Sequence, residues 1–329
     1  MGAMLYDSDI DIAPILARRV AVLGYGSQGR AQALNLRDSG VDVTVGLRPG
    51  SPSRARAADD GLAVADMADA AAEAAVVVML TPDEVQPKVY RAIEPALESG
   101  AALLFAHGFN IHYRRIEPRG NLDVVMAAPF GIGDKLRSLY EAGQGTAGMV
   151  AVAADVTGEA RAVALAYARA IGLGHGGVVE TTFAEETETD LFAEQAVLCG
   201  GLTHLVEAAY ETLVAAGYAS EIAYFSCLHE VSLMADVMQR KGIAGMRESI
   251  SSTAAYGDAT RGPRVINGPS RAAMRAMLDE IRDGSFAAEL ADEIEAGKPT
   301  LAAYRRESQA HPIEAVGREL RKNGASHER

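Results

Sequence analysis

Residues 19–30, RVAVLGYGSQGR, decide the fold of this chain. A short apolar run of strand character leads into Gly24-Tyr25-Gly26-Ser27-Gln28-Gly29, and a helical pattern follows. In this GxGxxG arrangement the first glycine permits a tight turn, the second lets the backbone approach a pyrophosphate, and the third lets helix and strand pack closely. The helix N-terminus adds N–H groups and the positive end of its dipole. The stretch therefore predicts a Rossmann-type dinucleotide-binding unit, with a plain glycine turn as the alternative.

The rest of the first half repeats the same alternation of short apolar runs and helical stretches. Further strands are predicted at 41–47, 75–80, 101–106, 124–127, 149–153 and 177–181, with a helix at 158–171. Short β-branched runs separated by helices indicate βαβ units and a buried parallel sheet with helices on both faces. We therefore expect an α/β Rossmann domain over residues 1–181.

After about residue 182 the strand signals stop. Long helical patterns are predicted at 188–216, 220–241, 271–284 and 286–296, and a last helix near the string HPIEAVGRELRK. The sequence thus predicts a second, all-α domain over residues 182–329.

Composition limits the possible partners and surroundings. The 329 residues carry a formal net charge of −13, which disfavours nucleic acid and anionic membranes because both are negatively charged. Only Cys199 and Cys227 occur and they form no CxxC pair, as is typical of a reducing compartment. No apolar run approaches the roughly 20 residues of a membrane span, and no signal peptide is evident. We expect a cytoplasmic protein.

The end of the second predicted strand selects the cofactor. Sites for NAD usually carry an acid there, for the ribose hydroxyls. This chain instead has the string GLRPGSPSR, in which Arg48 is suited to a 2′-phosphate, Ser51 and Ser53 offer hydroxyls, and Arg54 adds charge. A solvated surface loop is the alternative. The pattern favours NADPH over NADH, and the string LTPDEVQ at 80–86 is typical of a sheet-edge loop over such a cofactor.

Two carboxylates one helical turn apart suggest a metal site. Asp190 and Glu194 stand at i, i+4 and project from the same face of a predicted helix. Hard oxygen ligands at this spacing suit Mg²⁺, which keeps several waters and shares substrate oxygens. The alternative is a solvated acidic face, since Glu185, Glu186 and Glu188 are nearby. Glu230 lies on a later helix, one turn after Ser226.

These strings together resemble a known family. GYGSQG, VGLRPGS, TPDEVQ, FAHGFNIHY, ETTFAEETETDLF, EQAVLCGGLT, CLHE, GIAGMR and GPRVI are similar to class I ketol-acid reductoisomerase over essentially the whole chain. The resemblance implies a Rossmann domain followed by a knotted helical domain, with NADPH and two Mg²⁺ bound. It implies an enzyme that shifts an alkyl group within a 2-acetohydroxy acid and reduces the resulting ketone, in branched-chain amino-acid synthesis. It also implies a homodimer or higher homo-oligomer whose subunits share active sites.

The resemblance assigns roles residue by residue. It gives His107, Asp190 and Glu194 catalytic roles, places Asp190 between both metals with Glu194 on one, and places Glu230 on the other from the partner chain. It places Ser251 on the substrate carboxylate. It assigns NADPH contacts to Tyr25, Gly26, Ser27, Gln28, Arg48, Ser51, Ser53, Asp83, Glu84, Val85, Gln86 and Gly133.

The chain departs from the family pattern close to the chemistry. Phe130 stands where the family has a catalytic lysine, Asp134 where it has a histidine, and Ser226 where it has a glutamate. Alkyl migration needs a strong Lewis acid and groups that donate and accept protons. Hydride transfer to a keto or imino acid needs only NADPH, a correctly oriented substrate and one electrophilic partner. We therefore expect an NADPH-dependent reductase without full alkyl migration, with one or two Mg²⁺ bound.

Two alternatives stay open. One is an ordinary reductoisomerase that converts 2-acetolactate to 2,3-dihydroxy-isovalerate, with Asp134 or Glu186 replacing the missing groups. The other is a non-catalytic NADPH-binding protein.

Overall fold

The structure is a computed structural model that describes residues 3–325, with side chains as far as residue 322. It consists of two compact units that divide between Thr189 and Asp190. This division lies inside one helix, whereas the sequence-based boundary after residue 181 precedes that helix. Each unit is described separately below.

The first unit holds every strand in the described residues. The strands are β1 (Arg19–Leu23), β2 (Asp42–Gly46), β3 (Ala63–Ala65), β4 (Val76–Met79), β5 (Ala102–Phe105), β6 (Asp123–Pro129), β7 (Gly148–Ala154) and β8 (Val178–Glu180). The helices are α1 (Ala13–Leu16), α2 (Ser27–Asp38), α3 (Ser53–Asp59), α4 (Met67–Ala72), α5 (Gln86–Ile93), α6 (Phe109–His112), α7 (Gly133–Glu141), α8 (Ala160–Ala170) and α9 (Phe183–Ala193). Helix α9 continues to the end of this unit and into the next.

The eight strands form one sheet in the order β3-β2-β1-β4-β5-β6-β7-β8. All pairs are parallel except β6 with β7. The order reverses between β1 and β4, which is the topological switch point where open α/β sheets bind dinucleotides. The predicted α/β sheet with helices on both faces is confirmed.

The antiparallel β7 differs from the wholly parallel sheet that the sequence suggested. Phe130 N–H donates to the Ala147 carbonyl at 2.9 Å, and Thr146 Oγ1 donates to the Phe130 carbonyl at 2.5 Å. Residues 146 and 147 therefore lie at the carboxyl end of β6, so β7 begins there and runs back. An apolar run indicates a strand but carries no sign of its direction.

Side chains alternate between two cores on opposite faces of the sheet. Val20 and Val22 of β1 pack in one core with α2 and α8, and Ala21 and Leu23 pack in the other with α4 and α5. This strict alternation is the period of a strand buried on both faces. Each fully buried Val or Leu contributes about 1.5–3 kcal/mol to folding, so the sheet is a rigid base for the loops at its carboxyl edge.

The second unit is helical throughout its described part. It contains the end of α9, then α10 (Gly200–Ala215), α11 (Ser220–Tyr224), α12 (Glu230–Ser249), α13 (Ser252–Val265), α14 (Gly268–Asp283), α15 (Ser285–Glu295), α16 (Pro299–Ala310) and α17 (Pro312–Ala325). π-helical turns at Glu194–Leu198 and Phe225–His229 join α9 to α10 and α11 to α12. A small core of Val206, Tyr210, Ala223, Tyr224 and Ile313 ties α10, α11 and α17 together.

Several elements were not predicted from the sequence, among them β3, α13 and α16. Strand β3 has only three residues, too few for a periodic signal. Helix α13 contains glycines and Pro263, which lower intrinsic helix propensity and hide it from pattern analysis. Helix α16 begins at Pro299, a favoured first position, but its apolar periodicity is weak. Within residues 3–325, no helix is long and apolar enough to cross a membrane.

Candidate active site

The three glycines of the dinucleotide loop have the space that each role requires. Gly24 adopts φ +109°, and a Cβ there would lie 2.6 Å from the Leu80 carbonyl oxygen at the end of β4. A Cβ on Gly29 would lie 2.4 Å from the Gly24 carbonyl oxygen. A Cβ on Gly26 would meet nothing within 4 Å. The loop is thus tight at both ends and open at its middle, which fits a pyrophosphate at the N-terminus of α2.

A second loop packs on this one from the carboxyl end of β6. Gln28 Nε2 donates to the Gly131 carbonyl at 2.8 Å. A Cβ on Gly133 would lie 2.2 Å from the Ser27 carbonyl oxygen, so the position accepts no side chain. Phe130, just before these glycines, has 53% of its surface exposed. Phe130 therefore directly precedes the segment that contacts the dinucleotide loop.

The two arginines of the loop after β2, Arg48 and Arg54, differ in exposure and in charge pairing. Arg48 is exposed, and Ser51 and Ser53 are partly exposed at the start of α3. Arg54 is turned inward, where its guanidinium donates to the Leu47 carbonyl at 2.9 Å and to Asp66 at 2.8 Å. Arg54 holds the loop together, and its charge is offset by that carboxylate.

Tyr25 lies between the first two loop glycines, and its side chain points into the protein. It is 3% exposed, and its hydroxyl donates to Asp60 Oδ2 at 2.8 Å. Arg30 of α2 donates to both Asp60 oxygens, each at 2.8 Å. The Arg30 guanidinium, with the Tyr25 hydroxyl, lowers the pKa of the Asp60 carboxyl to about 2. Burial and the bond to Asp60 raise the pKa of Tyr25. Tyr25 therefore offers a cofactor its backbone rather than its hydroxyl.

The Asp60 network predicts a dependence of stability on acid. Because the pKa of Asp60 is lowered from 3.8 to about 2, its ion pair stabilises the fold above pH 4 and is lost as the pH falls towards 2. We expect Asp60→Asn to lower the free energy of unfolding by about 1–2 kcal/mol at pH 7. Urea unfolding of both proteins at several pH values should show this difference shrinking between about pH 4 and pH 2. A difference that stays constant over that range would contradict the assignment.

The segment 83–86 is anchored by a buried amide pair. Gln86 is 5% exposed, and its Nε2 donates to the Thr81 carbonyl at 2.9 Å, while its Oε1 accepts from Asn110 Nδ2 at 2.9 Å. Asn110 also donates to the Asp83 carbonyl at 3.0 Å. Burial raises the pKa of the Asp83 carboxyl. Glu84 is partly exposed and Val85 is exposed. Asn110 was not singled out from the sequence, although FAHGFN contains it.

His107 follows β5 and pairs with a buried carboxylate of α9. Its Nδ1 lies 2.9 Å from Glu186 Oε1, and Gly108 N–H donates to Glu186 Oε2 at 2.8 Å. Glu186 is only 2% exposed. A Cβ on Gly108 would lie 2.4 Å from Thr187 Oγ1, so the glycine lets α9 approach this closely. Since a carboxylate can only accept, His107 Nδ1 donates and a neutral ring has its lone pair on Nε2.

Asp190 follows Glu186 by one turn of α9. Ligand atoms of His107, Glu186 and Asp190 all lie within 4.8 Å of one another, close enough to hold one ion. The two carboxylates suit Mg²⁺, whereas an imidazole is a ligand of softer metals. Sequence reasoning named Asp190 as a ligand and Glu186 only as a substitute, because it did not show that Glu186 is buried against His107.

The remaining predicted ligands lie in the second unit at its π-helical turns. Glu194 begins the first π-helical turn and is exposed. Ser226 lies within the second, which Glu230 follows, and both are exposed. Ser251 caps α13 by accepting from Ala254 N–H at 3.2 Å. π-helical turns are rare and occur often at functional sites; here the first contains the predicted ligand Glu194, and the second ends directly before the predicted ligand Glu230.

Comparisons with known proteins show the family of this chain. Residues 14–177 match the model of the acetohydroxy acid isomeroreductase NADPH-binding domain. Residues 183–325 match the model of the ketol-acid reductoisomerase C-terminal domain. The chain belongs to the ketol-acid reductoisomerase family. It is therefore an NAD(P)-dependent oxidoreductase, which sets aside the non-catalytic alternative.

Solved structures show the same relationship. An NADH-preferring ketol-acid reductoisomerase from an uncultured archean is 44% identical, with a TM-score of 0.95 over 97% of this chain and 98% of that one. A semialdehyde dehydrogenase NAD-binding protein from Cupriavidus necator, in complex with calcium and NAD, is 18% identical, with a TM-score of 0.63 over 81% and 99%. The Plasmodium falciparum pyrroline carboxylate reductase with NADP bound is 13% identical, with a TM-score of 0.51 over 82% and 98%. The last two share the fold alone.

Proposed function

We propose that this ketol-acid reductoisomerase family member is an NADPH-dependent reductase of a keto or imino acid that does not carry out the full alkyl migration. The observation that carries the proposal is Phe130. It is a half-exposed phenylalanine directly before Gly131, whose carbonyl accepts from Gln28 of the dinucleotide loop, and it stands at the position where the family resemblance places a catalytic lysine. An apolar ring neither donates a hydrogen bond nor stabilises an anion, so proton management there is lost.

The cofactor part of the proposal rests on the loop after β2. Arg48 is exposed at the end of the strand, and no acid stands there for ribose hydroxyls. NADPH, when bound, supplies the hydride. Gly26 leaves room for its pyrophosphate, Gly24 and Gly29 keep the turn tight, and Gln28 and Gly133 hold the β6 loop against the dinucleotide loop.

His107 is the proposed proton donor to the reduced carbonyl or imine. Glu186 accepts from Nδ1, so the substrate would receive the Nε2 proton of the doubly protonated ring, and the neutral ring with its lone pair on Nε2 would remain. A histidine with one nitrogen bonded to a buried carboxylate is well oriented for general acid catalysis. Asp190 and Glu194 would hold Mg²⁺, with Glu230 of a partner chain as a further ligand, and the metal would polarise substrate oxygens.

A homodimer or higher homo-oligomer with shared sites is part of the proposal. The second unit exposes large apolar side chains such as Leu198, Ile222, Phe225 and Leu233. Exposed apolar surface of this kind is typical of an interface between subunits. Sedimentation of the purified chain at the mass of a single copy would contradict this arrangement.

The ordinary reductoisomerase is the second candidate, and two observations favour it. Carboxylate oxygens of Glu186 and Asp190 lie within 4.8 Å of each other, so one metal ion would reach both, and Glu186 would replace a missing metal ligand. The 44% identical structure is itself a ketol-acid reductoisomerase.

Turnover of two substrates separates the candidates. We expect the protein, with NADPH and Mg²⁺, to reduce the already rearranged keto acid 3-hydroxy-3-methyl-2-oxobutanoate. We expect its rate with 2-acetolactate to be at least about tenfold lower, since 1.4 kcal/mol of lost transition-state stabilisation is tenfold. NADPH oxidation followed at 340 nm measures both. Equal turnover of the two substrates would establish the reductoisomerase instead.

A further inference from the structure

We infer that Arg56 of α3 is a second determinant of selectivity for the 2′-phosphate of the cofactor, alongside Arg48. The inference rests on the proposed NADPH preference and goes beyond it. Arg56 stands three residues after Ser53, the first residue of α3. Nothing in the sequence pattern distinguishes it from Arg54, which precedes it by two residues.

The side chain of Arg56 bridges two segments that enclose the adenosine ribose in a Rossmann fold. It belongs to the helix after β2, and its Nη2 donates to the Tyr25 carbonyl in the loop after β1. Its guanidinium carbon lies 5.3 Å from the centre of the Tyr25 ring. The ribose of a bound dinucleotide lies between the first loop and the end of the second strand. A cation that spans these segments therefore lies where a 2′-phosphate would be.

Arg56 differs from the neighbouring arginines in its ion pairing. Arg30 pairs with Asp60, Arg37 with Asp38, and Arg54 with Asp66. Arg48 and Arg56 form no ion pair within the part of the chain whose side chains are described. In a protein of formal net charge −13, two such arginines at one edge of the sheet make a local positive site, and a dianionic phosphate is its natural ligand.

The guanidinium of Arg56 is also held in place before any ligand binds. The Tyr25 ring on which it stacks is fixed by the hydroxyl bond to Asp60, and Asp60 is fixed by Arg30. Stacking on an aromatic face and one carbonyl bond restrict the guanidinium while leaving most of its N–H donors for a phosphate. A preordered cation loses less conformational entropy on binding, which favours Arg56 over an unrestrained surface arginine.

Calorimetric binding of two adenosine ligands to the full-length protein tests the inference. The probes are 2′,5′-ADP and 5′-AMP, which differ by the 2′-phosphate. We expect Arg56→Gln to weaken the binding of 2′,5′-ADP about tenfold, because one charge-assisted contact is lost. The affinity for 5′-AMP should change by less than about twofold. Arg91→Gln removes an exposed arginine of α5 and should change neither. Arg56→Lys keeps the positive charge but not the two-pronged guanidinium. It should therefore lose less affinity for 2′,5′-ADP than Arg56→Gln does.

Each other outcome has a defined meaning. If Arg56→Gln weakens both ligands equally, Arg56 only supports Tyr25 and the inference is overturned. If neither ligand is weakened, it is overturned as well. If the unaltered protein does not distinguish the two ligands, the NADPH preference itself fails, and this result is separate from a failure of Arg56 alone.

Discussion

Glu186→Gln is expected to lower kcat by about 10–100-fold while leaving the KM for NADPH unchanged. The Glu186 carboxylate accepts from both His107 Nδ1 and Gly108 N–H. A glutamine has one acceptor oxygen, and its amide group would face a donor, so one of these buried bonds is lost. Partners that orient an active-site histidine typically contribute this much to activity. The cofactor contacts lie on other loops and should be unaffected.

Steady-state kinetics with the substrate that the enzyme turns over fastest would measure this effect. Glu185→Gln is the matched control, because Glu185 precedes Glu186 on α9 and is exposed, and its carboxylate accepts from Thr181 Oγ1 at 2.7 Å rather than from His107. The pH profile of kcat distinguishes an orienting role from a structural one: a shifted profile supports orientation of His107. An unchanged kcat in Glu186→Gln would show that His107 does not depend on this carboxylate.

The double variant Phe130→Lys with Ser226→Glu is expected to raise the apparent affinity for Mg²⁺ at least about tenfold and to increase turnover of 2-acetolactate. The resemblance assigns a lysine and a metal-binding glutamate to these positions. A carboxylate is a hard ligand that suits Mg²⁺, and 1.4 kcal/mol of added binding is tenfold in affinity. Both native side chains are exposed, so the substitutions remove no core packing.

Titration of activity with Mg²⁺ would test the double variant against the native protein. Phe130→Lys combined with Ser232→Glu is a suitable control. Ser232 is an exposed serine of α12, so this substitution introduces the same negative charge at a different position. Metal dependence that is unchanged in the double variant would mean that positions 130 and 226 are not at the metal site. The proposed loss of alkyl migration would then lose its main support.

Much of the fold was predictable because its signals are local. The GxGxxG string after a strand predicted β1, its loop and α2, and the structure has all of them. Runs of Val and Ala predicted the central strands within a residue or two, since strands buried on both faces need continuous apolar sequence. The direction of β7 was not predictable, because it depends on where residues 146 and 147 return to β6.

The candidate site shows the same limit more sharply. Arg54 and Arg56 look alike in sequence, yet one is paired with Asp66 and the other stacks on Tyr25. Glu185 and Glu186 are adjacent acids, yet only Glu186 is buried against His107. The π-helical turns at Glu194–Leu198 and Phe225–His229 have no recognised pattern. Each difference arises from side-chain packing between segments far apart in the chain.

The sequence by itself determined the βαβ frame, the dinucleotide loop and the family of this protein, because glycine spacing and apolar periodicity act over a few residues. Only the tertiary structure decided that Glu186 contacts His107 and that Arg54, rather than Arg56, pairs with a carboxylate. Those outcomes depend on burial and on pairing across 30 to 80 positions of the chain, such as Tyr25 with Asp60 and His107 with Glu186. Burying a charged group without a partner is unfavourable in free energy, whereas a charged group in water needs no partner. Which charged groups are paired therefore depends on which of them the fold buries.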